Sequence, residues 1–355
     1  MIFKQYMHDQ GGCLSYLMGC TRTDVCCVVD PQLDIQPYLT SASSKNLTIT
    51  HVFETHTQAD HLSGARKLAD ATGAAVYFHK SVQAAFPFVP VSEGDELMVG
   101  NVKITVLHTP GHTPDSVCFL VADTTRSVHP WIVLTGDTLF VGDTGRPDLD
   151  GSAEDLYDSL YQRLMKLDDA IEIFPSHFAG SVCGRALSPK PSSTVGFERR
   201  FNPSLQFPSR AEFVQFVTQS LPVQPPRFHK VRQFNLGFLQ EPPIDKTFDE
   251  NSLQITVEEL KHRLDRGETP FILDVRNPDE FRICDLDGYL IPLHELAQRM
   301  KELDLSQEII VHCHVGERSQ AATSLLYESG FQHVKNLVGG IDAWAKKIDK
   351  AMERY

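Results

Sequence analysis

The stretch Thr55-His56-Thr57-Gln58-Ala59-Asp60-His61 sets three metal-capable side chains within seven residues, and Cys313-His314-Val315-Gly316-Glu317-Arg318-Ser319 places a thiol ahead of a glycine, an arginine and a serine. Imidazoles and carboxylates are the ligands of zinc and of non-haem iron. A thiol followed by successive backbone N–H groups at a helix start is suited to hold a thiolate or a persulfide anion. More metal-capable residues follow: His112 in Thr109-Pro110-Gly111-His112-Thr113, Asp137 in Thr135-Gly136-Asp137-Thr138, and His177 in Phe174-Pro175-Ser176-His177. Each comes after an apolar, strand-like run, so loops at one sheet edge can bring them together. One chain therefore carries the makings of a metal centre and of a cysteine nucleophile.

The elements that must position these groups fall into two sets. In the first half, β-like runs at 13–18, 25–30, 49–54, 102–107, 117–121 and 132–135 alternate with helical patterns at 63–72 and 153–166, which predicts an α/β sandwich of two sheets flanked by helices. From about Leu221 to Pro243 the chain is proline-rich and poorly periodic, and reads as a linker or a tail wrapping the first domain. A second α/β unit begins near Leu253. Ile255 enters a helix capped by Thr256 with Glu259 three residues on, 271–275 and 309–312 read as buried parallel strands, and a helix over 319–329 stops at Gly330. The expected domains are 1–235, a linker at 236–252, and 253–355.

Composition excludes some function classes. A chain of 355 residues with a formal net charge of −13 is a poor partner for nucleic acid or an anionic membrane, and an anionic substrate would need local arginines. No apolar run approaches the ~20 residues of a membrane helix, and Met1-Ile2-Phe3-Lys4-Gln5-Tyr6 lacks an export or transit pattern. A cytoplasmic protein with free thiols is expected. Of the eight cysteines, only Cys313 has a reactive context; Cys284 and the others read as core.

The four histidine- and aspartate-bearing loops, in this order, resemble those of the metallo-β-lactamase superfamily over about 1–235, which implies an αββα sandwich. The family pattern His-x-His-x-Asp-His is broken here, because Gln58 stands where the second histidine belongs. The resemblance then leaves His56, His112 and Asp137 as metal ligands, two imidazoles and one carboxylate with open positions, the facial pattern of mononuclear non-haem Fe(II) oxygenases. Asp60, His61 and His177 become groups that orient ligands or substrate, with a dinuclear site as the alternative. The run Phe140-Val141-Gly142-Asp143-Thr144-Gly145-Arg146-Pro147 resembles the persulfide dioxygenases, where an arginine at the place of Arg146 binds the glutathionyl part of the substrate; Arg185 and Arg199 lie in further segments of that likeness.

The segment 253–355 resembles the rhodanese domain, through Leu273-Asp274-Val275-Arg276 and Leu337-Val338-Gly339-Gly340 as well as the cysteine loop. Four residues separate Cys313 from Arg318, the rhodanese spacing, where cysteine phosphatases have five. The implied roles are a nucleophile for Cys313, an anion-holding group for Arg318, and loop-shaping or substrate contacts for Gly316 and Ser319. Arg276 reads as a structural ion-pair partner.

Together the two resemblances imply oxidation of glutathione persulfide by O2 to sulfite and glutathione at one Fe(II), joined to sulfur transfer between thiosulfate and glutathione through a Cys313 persulfide. Two other classes stay open: a zinc thioester hydrolase of the glyoxalase II kind fused to a rhodanese, and a non-catalytic sulfur carrier or sensor. A homodimer is compatible with all of these.

Overall fold

The computed structural model describes residues 1–8, 12–179, 181, 183–184, 187–207, 209–219, 228–242, 253–331 and 333–355. Arg185, the prolines at 222–226 and most of the expected linker lie outside the described residues. The chain divides into two compact units, Met1–Pro243 and Ile244–Tyr355.

The first unit is an αββα sandwich. One mixed sheet runs in sequence order: β1 (Ile2–His8), β2 (Cys13–Cys20), β3 (Val25–Val29), β4 (Thr48–Phe53), β5 (Ala75–His79) and β6 (Val89–Val91). The other holds β7 (Glu96–Val99), β8 (Val102–His108), β9 (Val117–Asp123), β10 (Ile132–Gly136), β11 (Glu172–Pro175) and β12 (Ser193–Thr194). Strand periodicity sorts the core into layers. Leu14, Tyr16, Met18, Cys27 and Val29 face Ile104, Val106, Phe119 and Val121 between the sheets, while the alternate residues Leu17, Cys26 and Val28 pack outward with Tyr38 and Leu68. Those two belong to α1 (Gln36–Ser43) and α2 (Ala65–Thr72). On the far side, Cys118, Val133 and Ile173 pack with Leu156, Leu160 and Phe213, from α3 (Ala153–Gln162) and, past α4 (Val195–Phe201), α5 (Arg210–Val217). β2 is buried along its whole length because both its faces are covered.

Two expectations change. The stretch taken as linker or tail contains a helix, α6 (Phe228–Asn235), whose Phe228, Phe234 and Asn235 are buried. Its short apolar pattern is masked by flanking prolines. The helix expected over 153–166 breaks after Gln162, and its last residues form a separate 3-10 turn, Leu164–Lys166.

The second unit is a parallel five-stranded sheet in the order β13 (Gln254–Ile255), β17 (Val334–Leu337), β16 (Ile309–His312), β14 (Phe271–Asp274), β15 (Tyr289–Leu290). Its helices are α7 (Val257–Asp265), α8 (Pro278–Phe281), α9 (Leu293–Arg299), α10 (Glu317–Glu328) and α11 (Gly340–Lys347). Thr256 caps α7 by accepting from the Glu259 N–H at 3.1 Å. Arg276, fully buried, pairs with Asp274, Nε to Oδ1 at 3.0 Å and Nη2 to Oδ2 at 2.5 Å. No helix among the described residues is long and apolar enough to cross a membrane.

Candidate metal centre and thiolate loop

β4, β8, β10 and β11 release their chains at one edge of the sandwich, and the metal-capable residues follow them directly. The loop after β4 is anchored by Asp30, just past β3. Its carboxylate accepts from the Thr55 N–H at 2.8 Å, the Thr55 hydroxyl at 2.9 Å and the Ser176 hydroxyl at 2.5 Å. Asp30 sits in the left-handed region at φ 50°, which a short polar side chain tolerates. His56 Nδ1 lies 3.0 Å from Thr55 Oγ1. The single hydroxyl proton of Thr55 is committed to Asp30, so His56 Nδ1–H is the donor and Nε2 keeps its lone pair. His112 is oriented the same way, Nδ1–H donating to the backbone carbonyl of Arg146 at 2.8 Å. Gly145 admits this segment, because a Cβ there would strike the carbonyl of Asp137.

The two free Nε2 atoms face Asp137. Oδ2 lies 3.5 Å from His112 Nε2 and 3.9 Å from His56 Nε2, and it is buried without a hydrogen-bond partner among the described residues. A buried, unpartnered carboxylate oxygen opposite two imidazole lone pairs is costly unless a cation joins them. Donors about 2.1 Å from one ion stand roughly 3–3.5 Å apart, close to what is seen, so the three residues fit a metal ion. Burial would raise the Asp137 carboxyl, but the facing imidazoles of His177, His56 and His112 outweigh it and hold the group at about 2. Burial pushes His112 down, toward the neutral form that a ligand needs.

A second set of donors adjoins the first. His177 bridges two carboxylates, Nδ1 2.7 Å from Asp137 Oδ1 and Nε2 2.5 Å from Asp60 Oδ2. Against the burial penalty, these two carboxylates drive His177 well above its usual range. His61 Nδ1 is 3.3 Å from Asp60 Oδ1. The structure therefore gathers Asp60, His61 and His177 beside the triad, and adds Cys13, whose donor atom lies within 4.8 Å of theirs; Cys183 stands likewise to Asp137 and His177. Cys13 and Cys183 were read as core from the sequence. The only available signal was their place at the start of a strand and in a glycine-rich loop.

Asn235 is the other residue that the sequence concealed. Its Nδ2 donates to the carbonyls of Gln58 (3.0 Å) and His61 (2.9 Å), and its Oδ1 accepts from the Ser63 N–H at 2.9 Å. One buried amide from α6 thus satisfies three backbone groups of the metal loop. Arg146 is 2% exposed, with Nε and Nη2 on Asp148 at 2.9 and 2.7 Å; its carbonyl is what reaches the triad. Arg199 donates to the carbonyls of Met165 and Leu167, both at 2.8 Å, and pairs with Asp169, which makes it a brace of the 3-10 turn.

In the second unit, Cys313 follows β16 and is 1% exposed. Its sulfur accepts from the Gly316 N–H at 3.1 Å and from the Ser319 hydroxyl at 3.4 Å. Gly316 turns the chain at φ 105°, open only to glycine. The carbonyls of Cys313 and His314 are drawn away by the N–H groups of Ile341 (2.9 Å) and Asp342 (3.0 Å) at the start of α11, leaving donors toward the sulfur. One boundary shifts. The helix opens at Glu317 rather than 319, so Glu317 and Arg318 are first-turn residues and not loop. Arg318, expected to hold an anion against the cysteine, is closed on Glu280 through Nη1 (2.7 Å) and Nη2 (2.6 Å). That pairing brings the Glu280 carboxyl down to about 2. The ring of Tyr355 stacks on His314 at 4.3 Å. Cys284, expected in the core, is only half-buried.

Residues 8–177 match the family model of the metallo-beta-lactamase superfamily, and residues 256–347 match that of the rhodanese-like domain. The structure is similar to a metallo-beta-lactamase from Staphylococcus aureus subsp. aureus COL, with 29% identity, a TM-score of 0.64, and 96% of this chain and 97% of that one covered. It is also similar to ETHE1 from Myxococcus xanthus, at 32% identity and a TM-score of 0.59, covering 66% of this chain and all of that one. Among curated proteins, an uncharacterized protein of Mycobacterium leprae is 35% identical over 221 residues, 55% of this chain and 94% of its own length. The hydroxyacylglutathione hydrolase of Rhodospirillum rubrum is 34% identical over 164 residues, 46% and 60%. The human mitochondrial persulfide dioxygenase ETHE1 is 26% identical over 220 residues, 61% and 80%.

Proposed function

The chain belongs to the metallo-beta-lactamase superfamily and carries a rhodanese-like domain C-terminal to it, and on that premise we propose a bifunctional sulfur enzyme. Its first unit oxidises glutathione persulfide with O2 and water to sulfite and glutathione at one Fe(II), and its second transfers sulfane sulfur between thiosulfate and glutathione. The observation that carries the reading is the His56–His112–Asp137 triad, with Gln58 in the place of a third imidazole. Likeness to the persulfide dioxygenases supports it.

Iron(II) held by these three residues would supply the reactivity with O2 that no side chain has. The protein does the rest. Thr55 and the Arg146 carbonyl hold both imidazoles with Nε2 inward. Asp137 contributes one negative charge, and His177 takes its other oxygen. Burial of the triad keeps bulk water from the reacting sulfur.

At the other centre, the Cys313 thiolate attacks the outer sulfur of thiosulfate. The S–S bond breaks, sulfite leaves with the electron pair, and a Cys313 persulfide anion remains. The Gly316 N–H and Ser319 hydroxyl donate to the sulfur they already face. Glutathione thiolate then attacks the terminal sulfur, which releases glutathione persulfide and restores the thiolate. That product is the substrate of the first unit, so one chain raises the local concentration of a labile intermediate.

The test is oxygen uptake by the iron-loaded protein with glutathione persulfide, with sulfite assayed in parallel. Uptake matched by sulfite supports the dioxygenase; none from a protein holding one iron removes it. A zinc thioester hydrolase is the second reading. The donor set of Cys13, Asp60, His61 and His177 favours it, and hydrolysis of a glutathione thioester by the two-zinc form would establish it.

A further inference from the structure

We propose that Gln58 is a positioning residue, whose amide carbonyl accepts the Nδ1 proton of His56 and so presents Nε2 to the metal. The inference rests on the metal reading above, but not on the identity of the reaction.

Protons around His56 Nδ1 can be counted from its neighbours. The Gln58 side chain is 1% exposed, and one end of its amide lies 3.4 Å from His56 Nδ1. That end can be the NH2 or the carbonyl, because the two are isosteric. Thr55 Oγ1, 3.0 Å from the same Nδ1, gives its only proton to Asp30. His56 Nδ1 must therefore be a donor, and an amide N–H beside it would set two donors against each other. The far end of the amide is buried with no hydrogen-bond partner among the described residues in either orientation, so the contact with His56 decides between them. Turning the amide removes the clash of donors: Oε1 shares the Nδ1 proton with Thr55, and the NH2 takes the place opposite, where a water or ligand oxygen would accept from it.

The backbone holds the side chain to this task. Asn235 pins the Gln58 backbone carbonyl at 3.0 Å, and the neighbouring Thr57 is fixed through its N–H (2.7 Å) and hydroxyl (2.8 Å) on Asp115. An imidazole at this position would add a third histidine, and so a fourth ligand, to the set. The amide acts through His56 instead, so the departure from the family pattern gains a physical role.

The test is anaerobic titration of the metal-free full chain with Co(II), followed by its visible absorption, for wild type, Gln58→Glu and Gln58→Leu. Glutamate offers only acceptors and leucine offers none. Gln58→Glu should bind Co(II) within about threefold of wild type with the same band positions. Gln58→Leu should bind about 10–100-fold more weakly, the usual cost of losing an outer hydrogen bond to a metal-bound histidine, with shifted bands. A glutamate variant as weak as the leucine variant would mean that the amide presents its NH2, and would overturn the proposal. So would a leucine variant equal to wild type. Thermal unfolding of the metal-free proteins checks their folding, and should leucine not fold, the glutamate variant decides alone. A wild type that binds one Co(II) yet shows no oxygen uptake when iron-loaded would remove the dioxygenase and leave this inference standing.

Discussion

The two centres are built in opposite ways. The thiolate site is local: Cys313, Gly316 and Ser319 lie within one strand-to-helix turn, and the donors to the sulfur come from that turn. The metal site is assembled from afar, with His56, His112, Asp137 and His177 leaving four different strands, held by Asp30, Asn235 and the Arg146 carbonyl. The local site needs little more than its own turn and the two α11 N–H groups that hold its carbonyls. A dispersed one needs the whole sandwich, and each ligand depends on a partner distant in sequence.

The largest effects should come from breaking one centre at a time. His112→Ala should abolish oxygen uptake and leave sulfur transfer from thiosulfate unchanged, and Cys313→Ser should do the reverse. Loss of both activities in either variant would show that the centres are not independent. Oxygen uptake with supplied glutathione persulfide, and glutathione persulfide formed from thiosulfate without oxygen, would decide.

Asn235→Ala tests the dispersed site at its most remote support. It strands two carbonyls and one N–H of the metal loop, each worth about 1 kcal/mol or more when buried. Unfolding of the first unit by denaturant should show a loss of about 3 kcal/mol or more, with Co(II) affinity down about tenfold and thiosulfate turnover intact.

Acid should separate the centres further. The Asp137 carboxyl is lowered from 3.8 to about 2 in the metal-free fold. A lowered carboxyl contributes stability that is full above its unfolded value and lost as pH falls through the folded one. The metal-free first unit should thus lose about 2 kcal/mol between about pH 4 and pH 2, and Asp137→Asn should flatten that part of the profile. The smallest effect is expected for Ser319→Ala, which removes one of two donors to the sulfur. Thiosulfate turnover should fall about fivefold, the equivalent of one hydrogen bond, with oxygen uptake unaltered.

The same contrast explains what could be read in advance. The Cys313 loop was legible because its chemistry and geometry share seven consecutive residues, whereas the pairing of Arg318 was not, because its partner Glu280 is 38 positions away. The strands around the core were legible as short apolar runs, as in Val25–Val29, while which of its residues face the other sheet (Cys27, Val29) and which the helices (Cys26, Val28) was not. β1 escaped notice because an edge strand mixes Lys4 and Gln5 with its apolar residues. Asn235 and Cys13 carry no local signature at all, since an asparagine ending a short helix and a cysteine opening a strand are ordinary in themselves.

From the sequence alone follow the two α/β units, the residue types able to hold a metal or a sulfane sulfur, and the substitution of Gln58 for an imidazole. These depend on periodicity and on the chemistry of single side chains, which survive in one dimension. Tertiary structure decided which nitrogen of His56 and His112 faces Asp137, that Asn235 locks the metal loop, that Cys13 and Cys183 stand beside it, and that Glu280 takes Arg318. Those are matters of distance and proton count between groups far apart along the chain, and only the folded sheets bring such groups within reach.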